Sequence, residues 1–301
     1  MTTQAGQKPD SPEIGYRVEF AAASPPLLPY LGGYHSFHTE VAAGVLHEEM
    51  VLPAWINVQV QTRGGDWGIR VAGRSFDPLP RLMITGPTSS AQFCRVITGH
   101  IIGVYLMPRG WARLVGGDAS KIADQIVDMR TILGSDADEL GAAVLAAPDF
   151  AGQVAAFEAV FSRRLAQSKP EPSQIVEIEA LLLDPDIRSV EEVTERLGMP
   201  NWQFARFVRR NFGFTPKMLM RRARFIRTIV QIREAKGQGW ATLVDEAYTD
   251  QSHFIRDCRD FLEMTPTRFA AKFQPVAHAG MVERTRILGD PHHVLQDESR
   301  N

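Results

Sequence analysis

Ten cations crowd one short stretch of this chain. Between Pro200 and Lys236 stand Arg206, Arg209, Arg210, Lys217, Arg221, Arg222, Arg224, Arg227, Arg233 and Lys236, with Glu234 as the one acid. The local charge is +9, whereas the whole chain of 301 residues, with 33 Lys and Arg against 35 Asp and Glu, carries −2. Like charges at this density repel and need either water or a polyanion beside them. A solvated helix face is the plainer alternative. A phosphate backbone, whose neutralisation by Lys and Arg releases counterions, is the sharper one.

The stretch lies inside a repeat. Gln203 to Arg210 placed over His253 to Asp260 gives a register of 50 residues that keeps Phe, Arg and Arg, and it continues into Thr215-Pro216 over Thr265-Pro266. Each copy has the proportions of a helix-turn-helix. In the first, Ser189 caps a helix with Glu192 three residues on, Gly198 supplies the turn, and a second helix starts near Asn201. In the second, Trp240 to Ala247 reads as the first helix and Asp250 caps the next. Between them Thr215-Pro216, a cap and a first-turn proline, opens a helix to about Lys236 with Leu219, Ala223, Ile226 and Val230 on one face. About 20 residues at 1.5 Å each span about 30 Å, close to the ~34 Å between half-sites on one side of a duplex. One chain then offers two recognition helices to successive major grooves, as a dimer would.

The segments PNWQFARFVRRNFGFTP and YTDQSHFIRDCRDFLEMTP resemble the paired helix-turn-helix units of the AraC/XylS transcription regulators, a likeness running from about Gln174 to Phe273. It implies a sequence-specific regulator whose partner is double-stranded DNA. Carried over residue by residue, it turns Asn201, Trp202 and Arg206 toward base edges, Arg206 as a bidentate partner of guanine and Trp202 against a thymine methyl. Arg209 and Arg210 meet phosphates and set register. In the second helix the matching positions are Gln251, Ser252 and Arg256, with Arg259 near the backbone. A core aromatic is the plain alternative for Trp202, and a packing residue is the preferred reading of His253. Two departures weaken the second copy: the usual glycine just before Tyr248 is absent, so that Ala247 stands in for it or one residue is missing, and Glu263 replaces another before Met264-Thr265-Pro266.

Upstream the period is two. In Trp55 to Gln61, Ile56, Val58 and Val60 alternate with Asn57, Gln59 and Gln61, a half-buried strand. Similar runs between Ile14 and Met107, parted by Gly and Pro, suggest a sandwich or small barrel. Leu52 to Val58, Thr85 to Thr88 and Gly103 to Ala112 look like the cupin-related N-terminal domain of one branch of the same family, which implies effector sensing or dimerisation. The neutral face of Asn57, Gln59 and Gln61 is, on the plainer and preferred reading, a face turned to water; the sharper reading makes it the lining of an effector pocket walled by Trp55 and Tyr105. After Pro108 the period turns helical over Ala119 to Met129, Asp138 to Ala146 and Asp149 to Ala166. The expected fold class is α+β in two domains: a flexible leader (1–13), a β-barrel or cupin-like domain with flanking helices (14–166), a linker (167–173), an all-α domain of two helix-turn-helix units joined by a long helix (174–273), and a flexible tail (274–301).

Other chemistry has little to stand on. His35 with His38, and His47 with Glu48 and Glu49, lack the spacing of a metal cupin, and His292-His293 reads as solvated; no metal or cofactor is expected. No nucleophile elbow or phosphate-binding glycine loop occurs. Cys94 and Cys258 make neither a disulfide framework nor a metal spacing. MTTQAGQKPDSPE lacks the charge and apolar run of a signal peptide, and no apolar stretch of membrane-spanning length occurs, so a cytoplasmic protein is expected. The regulator is expected to be a homodimer, with a small-molecule effector and RNA polymerase as further partners. A small-molecule module acting through protein contacts, with weak DNA binding, and a cupin-like enzyme are the alternatives.

Overall fold

The computed structural model describes residues 14–65, 67–234, 240–244, 248, 250–272, 274–290 and 292. The leader 1–13, Lys236, Ala247, Phe273 and His293 lie outside the described residues, and so does the rest of the chain's end.

The described strands are β1 (Ile14–Ala21), β2 (Leu31–Val41), β3 (His47–Val51), β4 (Ile56–Arg63), β5 (Gly68–Val71), β6 (Arg74–Phe76), β7 (Leu82–Thr85), β8 (Gln92–Val96), β9 (Gly99–Leu106) and β10 (Ile126–Asp128). They pair antiparallel in two sheets, ordered β1-β2-β9-β4-β7-β10 and β3-β8-β5-β6. On the first sheet Ile56, Val58 and Val60 pack with Ile102, Val104 and the helices that cover this face. Because β4 is central and faces a second sheet, its other face is closed as well: Asn57 and Gln61 are buried and Gln59 half-buried. The expected half-buried strand is therefore buried on both sides.

Helices follow: α1 (Pro108–Gly110), α2 (Arg130–Leu133), α3 (Ser135–Ala146) and α4 (Phe150–Gln167). Asp149 caps α4 by accepting from the Gly152 amide at 2.8 Å, and Phe157 and Phe161 turn inward. The helix expected over Ala119 to Met129 is instead a 3-10 turn (Ala119–Lys121) and then β10. Asp118 accepts from the Ser120 amide at 3.0 Å and Asp124 turns left-handed at φ 55, after which Ile126 pairs with Thr85. Completing a sheet edge outweighs a short helical period.

The C-terminal helices are α5 (Gln174–Leu183), α6 (Val190–Leu197), α7 (Asn201–Phe212), α8 (Pro216–Glu234), α9 (Gln251–Leu262), α10 (Pro266–Ala271) and α11 (Pro275–Leu288). Ser189 Oγ accepts from the Glu192 amide at 3.1 Å, while Glu192 reaches back to the Arg188 amide, one residue earlier than a standard capping box. Gly198 ends α6 at φ 60, and α7 begins three residues later. Leu219, Ala223, Ile226 and Val230 are buried along α8. Asp250 caps α9 through the His253 amide at 2.8 Å. Where the first helix of the second copy was expected, the described part is a 3-10 turn (Trp240–Thr242).

The end of the chain departs most from expectation. α11 occupies the region read as a flexible tail, its Pro275, Val276, Gly280, Met281 and Arg284 buried against β1 and β3. Among the described residues no helix is long and apolar enough to cross a membrane.

The helical half is seated on the β half. One apolar cluster joins Met50, Leu52, Trp55 and Phe93 to Phe212, Phe225, Ile226 and Phe261. Arg222 of α8 is fully buried in this seam, donating to the Ala54 and Thr88 carbonyls at 3.2 Å each, with its guanidinium 4.0 Å from the Trp55 ring centre. Burial pushes its pKa down to about 9.

Candidate nucleic-acid interface and interdomain cavity

On α7 the apolar positions Phe204, Val208 and Phe212 face the core at helical spacing, which leaves the other face to solvent. Trp202 is 69% exposed, and Asn201, Arg206, Arg209 and Arg210 are exposed beside it. The Asn201 side chain is tied down, its Oδ1 accepting from Thr194 Oγ1 of α6 at 2.8 Å. On α9, Gln251, Ser252, Arg256 and Arg259 are exposed while Phe254, Cys258 and Leu262 are buried. His253 is half-buried with its ring 5.2 Å from that of Tyr248, a packing position.

Nine of the ten crowded cations are among the described residues and divide into two groups. Arg221 donates to Asp257 at 2.7 Å and also pairs with Asp260; Arg224 lies 3.7 Å from Asp257 and over the Tyr248 ring. Arg222 fills the seam, Arg227 donates to the Leu183 carbonyl at 3.0 Å, and Arg233 donates to Gln274 Oε1 at 3.0 Å. Arg206, Arg209, Arg210 and Lys217 are exposed and, among the described residues, make no ion pair. The +9 is therefore only partly a surface: half of the stretch is internal mortar, because α8 is buried along most of its length. Spacing alone does not separate the two groups, since a buried arginine and an exposed one have the same letter.

A partly open cavity of about 180 Å³ lies between the β sheets, the end of α8 and α11. Its walls are apolar, with Phe37, Ile101, Met50, Ile69, Val230 and Met281 among them. The polar lining includes His35, Asn57, Gln59, Tyr105, Arg233 and Arg284. Asn57 Nδ2 donates to His35 Nε2 at 3.3 Å, which leaves Asn57 Oδ1 and His35 Nδ1 without a partner among the described residues. Burial, with Arg284 adding to it, pulls the His35 pKa down to about 3, so the ring is neutral. Burial also lowers Arg233 and Arg284 to about 10 each and raises Tyr105 to about 12.

Of the five residues expected at a pocket, Asn57, Gln59 and Tyr105 line this cavity. Trp55 does not: it precedes β4 and is held under Arg222, edge-on to Phe212 at 6.0 Å between ring centres. Gln61 is buried on the same strand but is not part of the lining. His292, expected to be solvated, is buried and lines the cavity, where desolvation holds its pKa well below the usual value. Arg233, Arg284 and α11 were missed. The signal for α11 was present as Pro275 at a first turn followed by Val276, Gly280 and Arg284 at helical spacing.

Residues 193–272 match the protein family described as "Helix-turn-helix domain". A search of curated protein sequences finds no relative. Among solved structures, the unsaturated fatty acid bound wild-type ToxT from Vibrio cholerae is 9% identical over 88% of this chain and 97% of its own, with a TM-score of 0.41. ToxT from the same organism bound to (E)-4-(8-methylnaphthalen-1-yl)but-3-enoic acid is 7% identical over 86% and 98%, at 0.42. The AraC-like transcriptional activator CuxR is 10% identical over 73% and 88%, at 0.27. A paired helix-turn-helix domain beside a β-rich domain defines a DNA-binding transcription regulator. Its helix-turn-helix domain is of the AraC type.

Proposed function

We propose that the chain reads duplex DNA with α7 and α9 and answers to a small molecule held in the interdomain cavity. Trp202 and Arg206 face base edges, Arg209 and Arg210 hold phosphates, and Gln251, Ser252, Arg256 and Arg259 act in the second unit. Asn201, whose Oδ1 accepts from Thr194, keeps its amide donors for a base edge. The observation that carries the reading is that the arginines of both recognition helices stand in solvent without ion pairs among the described residues, while the other arginines of α8 are engaged. Fluorescence anisotropy on operator DNA recovered by genomic footprinting tests it. With about five phosphates neutralised, log K should fall with log salt at a slope of about −4 to −5. A flat titration overturns the reading.

For the cavity we infer a ligand with an apolar body and one polar head. Apolar walls take the body, and the unpartnered Asn57 Oδ1 and His35 Nδ1, with Tyr105 and Arg284 beside them, take the head. Decanoic acid and decanol serve as probes. A rise in melting temperature with either, abolished by Asn57→Leu, supports the assignment, and no rise with both overturns it. The reading is completed by a cytoplasmic homodimer that meets RNA polymerase at its promoters and does no chemistry on its ligand.

A further inference from the structure

α11 lies beyond the residues matched as helix-turn-helix, yet like the end of α8 it lines the cavity, and it packs along β1 and β3. Its attachment is polar at both ends. Both Glu49 oxygens, on β3, accept from the first turn, from the Val276 amide at 3.1 Å and the Ala277 amide at 3.0 Å. These are donors that a helix cannot satisfy by itself. Near the other end Arg284 donates to the Gly32 carbonyl. Between them Gly280 lies flat on Phe37, where an added Cβ would come within 3.1 Å of the ring.

The clasping face is also the cavity wall: Val276, Ala277, Gly280, Met281 and Arg284 all line the space. A helix laid over a void lacks dispersion partners on that side, so its seat is weaker than one over packed side chains. Three residues separate α10 from α11. Extended, they span only about 10 Å. Lys272, in that connection, pairs with Glu48 of β3 at 3.3 Å. Releasing α11 therefore releases the return path of the second helix-turn-helix unit. The second unit has contacts of its own on the β half, Glu263 with Arg70 and the Phe261 carbonyl accepting from the Ala91 amide at 2.7 Å, so α11 is one of its attachments. Among the described residues the first unit has none on α11 and is held through Arg222 and Phe212.

We propose that α11 is a strap that couples the cavity to the second unit alone: an occupied cavity tightens it, and an empty one lets it lift and loosens α9 and α10. The part played by the ligand rests on the cavity reading above; the tether does not. A ligand that contacts both the strap and the β sheets favours the clasped state by its differential affinity for that state.

Hydrogen exchange on the full chain tests the strap. Glu49→Ala removes both acceptors at the first turn, and Gly280→Leu prises the helix from Phe37 without touching them. Each should speed exchange of α11 and α9 by about tenfold, in line with the loss of a helix cap, and leave α7 unchanged. Decanoic acid should slow α11 and α9 in the wild type. The strap is overturned if α11 speeds up while α9 does not, if α7 speeds up equally, if neither helix responds to either variant, or if decanoic acid raises the melting temperature without protecting α11. Should neither decanoic acid nor decanol bind, the cavity reading falls and the two variants still decide the tether.

Discussion

The two helix-turn-helix units turn the same corner toward the β domain and hold it by different means. In the first, Gly213 ends α7 at φ 91, and a side chain there would overlap the Pro87 ring. Fifty residues on, Glu263 ends α9 in the same left-handed conformation at φ 56 and reaches Arg70 of β5 at 2.5 Å. Inside the units the contrast repeats. Phe207, which packs against the apolar core, becomes Asp257, which is fully buried and accepts from Arg221 and from Tyr248 Oη at 2.8 Å. At these two places the first unit is seated by shape and the second by charge. The same repeat can thus be docked twice on one domain, with one copy insensitive to ionic conditions and the other responsive to them.

The largest effect is expected where that contrast is deepest. Asp257→Ala takes a fully buried acceptor from Arg221, which keeps Asp260, and from Arg224 and Tyr248 Oη, and should cost about 2–3 kcal/mol in urea denaturation, as losing hydrogen bonds to a buried charged group does. Phe207→Ala, at the equivalent half-buried place, should cost about 2 kcal/mol or less. The reverse order would break the comparison. Gly213→Ala combines a left-handed alanine, about 1–2 kcal/mol, with the overlap on Pro87, and should lower the melting temperature at every salt concentration. On DNA the differences are of similar size but fall on specificity. Arg206→Ala should cost about 1–3 kcal/mol on the cognate site and relax one base pair, with Arg256→Ala costing less because its helix rests on a charge-held corner. A larger loss for Arg256→Ala in anisotropy titrations would make the second unit the principal reader.

Much of this was legible in the sequence, and for one reason: periodicity and caps are local. The alternation of Ile56, Val58 and Val60, the Ser189 and Asp250 caps and the 50-residue repeat all survive in the structure. Properties that depend on distant partners did not show. Ala119 to Met129 has a helical period, yet Ile126 is claimed by Thr85, 41 positions earlier in the chain. Trp55 looks like a pocket wall until Arg222 arrives from α8. Five arginines look like a DNA surface until carboxylates, carbonyls and a glutamine remove them. The cavity itself was half visible, since one strand's neutral face could be read and the helix that closes over it lies more than 200 residues away.

The smallest effect is the sharpest test. Glu263 bears a left-handed backbone that costs a non-glycine residue about 1 kcal/mol or more. Its ion pair with Arg70 is partly exposed, with side chains 38% and 39% accessible, and such pairs return about 0.2–1 kcal/mol. Glu263→Gly removes both terms, so at low salt the variant should stay within about 1 kcal/mol of the wild type. Salt screens the pair but not the backbone: at about 1 M the Debye length is about 3 Å and little of the attraction remains. The variant should therefore become the more stable protein as salt rises. Glu263→Ala keeps the strained backbone and loses the pair, so it should be the less stable protein at low salt and converge on the wild type at high salt. Denaturation curves for the three proteins at two salt concentrations decide the matter. If Glu263→Gly loses the same stability at both, the corner is held by packing, as in the first unit, and the contrast between the units does not hold there.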